Sequence, residues 1–163
     1  MAVLKIVKNN YTSSNSNFPD GVDETLMTYI TDWHKTTDNL ILGYNVLLGT
    51  PDEMAAQFQI ARKIYHKETG RLIRHFIVSF SKSETDNPIV AFRFAQFIAM
   101  YYIKEYQIVS AVHQDTENLH IHFLMNTVSL VDGHKFNEGP KELADFLVYL
   151  NSICPSNKFE LES

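Results

Sequence analysis

The sequence predicts an α+β fold: an antiparallel-rich central sheet with helices packed chiefly on one of its faces. Strand-like and helix-like segments alternate along the chain with short polar connections. The two strand-like segments 107–113 and 119–131 are separated only by the polar turn QDTEN, so they pair as a hairpin. On the second arm His120, His122 and Asn126 fall on one face, while Leu119, Ile121, Phe123 and Met125 fall on the other. The apolar face must meet helices, which leaves the histidine face open to a substrate.

Taken in order, a short apolar strand covers 2–7 and is followed by a mobile loop, 9–21, rich in turn formers. A helix over 22–33 lines up Val22, Leu26, Ile30 and Trp33 as an apolar stripe, with Tyr29 at its edge beside Thr25 and Asp32. A strand covers 39–48. Pro51-Asp52-Glu53 then opens a helix to about residue 66, with acidic groups in the first turn as the helix dipole prefers. Residues 72–80 form a strand, and Pro88 starts a long helix to about 105. After the hairpin, Asp132-Gly133 marks a tight turn before a further short strand, and Gly139-Pro140 opens a last helix through about 152.

A chain of 163 residues with 45% hydrophobic content builds one domain, 1–163, with a core of its own. The single cysteine, Cys154, can form no internal disulfide, and no stretch resembles a signal peptide, so a reducing cytoplasm is the expected location. The longest apolar run, 89–103, is interrupted by Arg93 and Gln96 and is too short to span a bilayer, so no membrane partner is expected. A net charge of −5 weighs against a strongly basic nucleic-acid surface. A local cluster of Arg62, Lys63, Lys67, Arg71 and Arg74, with His66 and His75 nearby, can still act as a phosphate track. It reads equally well as a solvated helix end.

The segment HQDTENLHIHF, 113–123, sets three histidines at a spacing that a hairpin can close around one metal ion. His120 and His122 share a face, and strand parity sets His113 near His120 or one even-length register step away, unless a bulge intervenes. Three neutral imidazoles leave coordination positions open, the pattern of a catalytic rather than a closed structural site. Imidazole is softer than carboxylate, so manganese, cobalt, nickel or zinc suits the site better than magnesium. Asp115 is placed to accept the second ring N–H of a ligand histidine, and Asn118 is an ordinary turn former.

TYITDWHKT at 28–36, LILGYNV at 40–46, RHFIVSFSKSE at 74–84 and H-x-D-x-x-N-x-H-x-H-F at 113–123 together resemble the relaxases, the mobilisation nucleases of plasmids and conjugative transposons. The resemblance covers about residues 22–137 and is nearest the branch related to the Ti-plasmid border endonuclease, within the HUH endonucleases. It implies a ferredoxin-like HUH sheet, a nucleophilic tyrosine at Tyr29, a metal triad of His113, His120 and His122, and polar support from Asp115 and Asn118. In many relatives the position of Asn118 is another histidine. His75 and Ser79 match a strand near the active centre, and Asn126 shares the histidine face. Arg71 and Arg74 are the expected DNA contacts.

The implied activity is metal-dependent nicking and rejoining of single-stranded DNA at a transfer origin in a bacterial cytoplasm. It proceeds through a 5′-phosphotyrosine, and accessory relaxosome proteins are the expected further partners. The implied cofactor is one divalent metal ion, manganese or magnesium in the cell, with zinc, cobalt or nickel also accommodated. Relaxases usually carry further domains, so the chain reads as a catalytic domain excised from a longer protein. A phenol with an ordinary pKa of about 10 needs a base or nearby positive charge to attack at neutral pH, and Asp115 is the candidate proton acceptor or histidine-orienting group. Two other classes fit parts of the pattern. A three-histidine hydrolase or oxygenase would need no tyrosine near the ion, and a non-catalytic DNA- or metal-binding module would leave no cleaved product.

Overall fold

A computed structural model describes residues 2–154 and 158–162. Six strands, β1 (Ala2–Ile6), β2 (Ile41–Tyr44), β3 (Ile73–Ser79), β4 (Ile108–His113), β5 (His120–Asn126) and β6 (Phe159–Leu161), form one sheet in the order β2-β4-β5-β3-β1-β6. Every pairing is antiparallel except β1 with β6. Four helices accompany it: α1 (Val22–Ile30), α2 (Pro51–Ile64), α3 (Pro88–Ala99) and α4 (Pro140–Ile153).

The α+β class and the antiparallel-rich sheet are as the sequence predicts, but the helices divide two to a face. Leu4, Phe76, Val78, Val112, Ile121 and Phe123 meet α3 and α4 through Ala91, Ala95, Ile98, Phe146 and Leu150. On the histidine face Val109, Ala111, Leu124 and Ile73 are also apolar, and α1 and α2 cover them with Leu26, Met27, Ile30, Met54 and Phe58. The expectation of helices chiefly on one face and an open histidine face is therefore corrected. The histidines occupy one end of β4–β5, and apolar residues at the other end require a second helical layer.

Helix starts follow their signals. Thr50 Oγ1 accepts from Glu53 N at 3.2 Å ahead of Pro51, and Asn87 Oδ1 accepts from Ile89 N at 2.9 Å ahead of Pro88. Several ends differ from the prediction. Helix α1 stops at Ile30 because Thr31 turns its hydroxyl back to Met27 O and Asp32 starts a separate turn. The stripe therefore breaks before Trp33, which is 78% exposed rather than core-facing.

The strand expected over 39–48 shrinks to β2, bounded by a 3-10 turn at Asp38–Leu40 and by Asn45 at φ +58. The Asn45 amide donates to Ile103 O and Tyr106 O. Helix α3 ends at Ala99 and continues as single turns that bury Tyr102 and Tyr106. The hairpin arm expected to reach Val131 stops at Asn126, and the strand expected after Asp132-Gly133 is reduced to one bridge, Val128 to Lys135. Strand β6 is not anticipated, because three residues carry no readable alternation. Gly133 takes φ +76 with the Tyr65 ring pressed where a Cβ would stand, so the tight turn requires glycine.

Candidate active site

The hairpin register sets the site. His113 lies directly opposite His120, and His122 lies opposite Ala111 on β4 and Ile77 on β3. The strand parity read from the sequence thus brings three rings into one cluster, with centroids 5.3 Å (His113–His120), 4.2 Å (His113–His122) and 5.1 Å (His120–His122) apart. One nitrogen of each lies within 4.8 Å of the others.

Hydrogen bonds select which nitrogen each ring keeps for a ligand. His113 Nε2 donates to Ile30 O at 2.8 Å, and His120 Nδ1 donates to Asn118 O at 3.1 Å, beside Thr116 Oγ1 at 3.1 Å. His122 Nδ1 meets His75 Nε2 at 2.8 Å, and His75 Nδ1 meets the Tyr11 hydroxyl at 3.2 Å. The remaining nitrogens are His113 Nδ1, His120 Nε2 and His122 Nε2. His113 Nδ1 is buried with no hydrogen-bond partner among the described residues. An orphaned buried acceptor beside two further imidazole nitrogens fits a divalent cation.

Electrostatics favour the neutral ligand form. Burial, reinforced by His113 and its neighbours, pushes His122 down to about 2. Burial, then His113, brings His75 to about 4. Burial also lowers His113, against the opposing hydrogen bond to Ile30. For Asp115, burial alone would raise the carboxyl, but the hydrogen bond from Lys35 prevails and holds it below the usual range.

Tyr29, 45% exposed at the end of α1, stands edge-on to His113 and His122 with centroids 6.0 and 5.6 Å away. Lys35 Nζ lies 5.3 Å from the Tyr29 ring centroid and 3.3 Å from Asp115 Oδ2. Gln114 N donates to Lys35 O at 2.8 Å, which ties the segment after α1 to the end of β4. Sequence reasoning missed Lys35 and Tyr11. Neither has a local signal, because each reaches the site only through long-range packing.

Other expected residues sort differently. Asp115 Oδ1 approaches His120 Nε2 at 3.7 Å, the nitrogen facing the cluster, rather than the second ring N–H it was expected to accept. Asn118 supports His120 through its backbone carbonyl. Ser79 lies opposite His120 in the register and shares its face.

Asn126 shares that face but lies at the far end of β5. There it accepts from Arg62 Nη1 at 3.0 Å and donates to Phe58 O and Gln107 Oε1, so it braces the helices rather than the histidines. Arg62 is itself buried against Asp23. Arg74 is corrected as a DNA contact. It is fully buried on the opposite face, paired to Glu138 at 2.8 Å and boxed by Phe76, Tyr102, Phe136 and Phe146. Only Lys63, Lys67 and the partly exposed Arg71, paired with Glu138, remain of the basic cluster near the surface.

The MobA/VirD2-like relaxase family, nuclease domain, matches residues 29–158, a span that starts at Tyr29 and contains all three histidines. A curated relative, Protein rlx of Staphylococcus aureus, is 27% identical over 110 residues, which are 68% of this chain and 33% of the relative. The chain therefore spans about a third of that relative's length. No solved structure matches it.

Proposed function

The chain belongs to the MobA/VirD2-like relaxases, nuclease domain, and we propose that it is the DNA strand-transferase part of a longer protein, cutting single-stranded DNA at a transfer origin through Tyr29. The observation that carries this reading is the edge-on approach of Tyr29 to the cluster of His113, His120 and His122. A water-activating hydrolase would have no use for a half-exposed phenol at that position.

His113 Nδ1, His120 Nε2 and His122 Nε2 would hold one divalent cation, with manganese favoured by the imidazole donors and magnesium as the cellular alternative. When bound, the cation supplies positive charge to the nonbridging oxygens of the scissile phosphate. The Tyr29 hydroxyl attacks phosphorus. The bond from its oxygen to phosphorus forms as the bond from phosphorus to O3′ breaks, and the departing O3′ takes a proton from solvent, which leaves a 5′-phosphotyrosine and a free 3′-OH. Lys35 provides positive charge beside the phenol ring, and Asp115, linked to Lys35, is the carboxylate assigned to receive the tyrosine proton. His75 and Tyr11 fix the His122 ring from behind. The phosphotyrosine preserves the phosphodiester energy, so the same site can rejoin the strand. Transfer-origin DNA and accessory relaxosome proteins are the partners this reading assigns to the whole protein.

The reading is tested by incubating the protein with end-labelled single-stranded oligonucleotides from candidate origins, with and without manganese, on denaturing gels. Metal-dependent cleavage at one phosphate supports it. Cleavage that persists in Tyr29→Phe would give the chemistry to an activated water instead.

A further inference from the structure

A cavity of about 380 Å³ opens beside Tyr29 on the histidine face. His75 and His122 form its inner end and Tyr29 one wall, so it is continuous with the site where the scissile phosphate is placed. Tyr11 and Phe18 also line it, as an aromatic corner in which the two rings meet edge to face, centroids 5.7 Å apart. The loop that carries this corner is fixed: Tyr11 O accepts from Leu72 N, and Phe18 O accepts from Gly21 N.

The chemistry of the lining selects an occupant. No lysine, arginine or carboxylate is among the described residues lining the cavity, so it offers a phosphate no charged partner. Aromatic rings and aliphatic side chains instead favour a flat, neutral ring. The volume lies at the lower end for small-ligand pockets, enough for one base with its sugar. Besides the tyrosines and histidines, two polar side chains line the cavity, Asn9 and Thr25. Asn9 donates to the Tyr11 hydroxyl, and its side-chain oxygen makes no hydrogen bond among the described residues. The Thr25 hydroxyl likewise makes none there. Both can address a base edge.

We propose that this cavity receives the base of a nucleotide adjoining the scissile phosphate and sets the sequence preference at that position. The proposal rests on the nicking function above. The phosphate lies on the Lys35 and histidine side of Tyr29, while the base turns into the Tyr11–Phe18 corner, so one wall, Tyr29, is shared by chemistry and recognition.

The test uses Tyr29→Phe protein, which binds without cutting, and an oligonucleotide spanning the nick mapped with wild-type protein. Each nucleotide is replaced in turn by an abasic residue. An abasic residue adjoining the nick should weaken binding about tenfold, the scale of one lost stacking contact. Adding Phe18→Ala should remove most of that penalty while the intact oligonucleotide still binds. Asn9→Ala, at an exposed position, and the near-isosteric Thr25→Val make the same comparison if Phe18→Ala lowers the melting temperature. Penalties unchanged in all three folded variants overturn the pocket and leave the nicking function intact. Wild-type protein that neither binds nor cuts any single strand overturns the nicking function, and the pocket with it.

Discussion

His113 Nε2 donates to the backbone carbonyl of Ile30 at 2.8 Å, so one histidine of the cluster is fastened to the residue next to Tyr29. The bond satisfies a terminal carbonyl of α1 and leaves His113 Nδ1 without a hydrogen-bond partner among the described residues, the nitrogen proposed to face the cation. His113→Ala should therefore do two things: lower manganese affinity and speed amide exchange in the last turn of α1. His120→Ala should do only the first. Equal exchange in the two variants would show that the bond does not hold the helix.

His75 holds no metal in this account and acts on the cation site by positioning His122. Partners of metal-bound histidines typically change affinity by about 10- to 100-fold. His75→Ala should weaken manganese binding within that range by calorimetry, and Tyr11→Phe, which removes only the end of the chain of hydrogen bonds, should weaken it less. Affinity unchanged in His75→Ala would reduce this contact to packing.

Burial holds His75 near 4 and His122 near 2 in the folded, metal-free chain, against 6.5 for an ordinary imidazole. Below pH 6.5 the unfolded chain therefore binds more protons than the folded one, and stability falls as pH falls. Above 6.5 this contribution is fully present. Urea midpoints of chelator-treated protein should drop between about pH 7 and pH 5, and less steeply for His75→Gln. A flat profile would contradict the burial of neutral rings.

Arg74 lies in an aromatic box with Glu138 and Glu142 as its acidic neighbours. Removing one member of a buried pair leaves the other uncompensated, at a cost of about 3–5 kcal/mol. Arg74→Ala should lower the chemical-denaturation stability by about that much, yet leave single-strand affinity of the folded protein unchanged. Affinity lost without loss of stability would return Arg74 to the DNA surface.

The histidine cluster was legible because strand parity is strict: once 107–113 and 119–126 pair, His113, His120 and His122 share a face, whereas parity leaves the register open and the structure sets His113 opposite His120. Tyr29 was legible only by resemblance, since a tyrosine at the edge of an apolar stripe is common on any helix. Trp33 was misread because the stripe assumed a helix that continues past Ile30, and Thr31 and Asp32 end it by bonding locally. Arg74 was misread because sequence charge does not reveal a strand face: it alternates with His75 and points to the aromatic layer. Lys35 and Tyr11 owe their places to contacts with residues 80 and 64 positions away, which no local pattern encodes.

The central claim is a covalent bond between Tyr29 and DNA. Mass spectrometry of the tryptic peptides after reaction with a nicked-site oligonucleotide should find the phosphodeoxynucleotide on the peptide containing Tyr29. It should be absent in Tyr29→Phe, whose fold, metal binding and DNA binding persist. An adduct on Tyr11 or Tyr44, or cleavage with no adduct at all, would contradict the account.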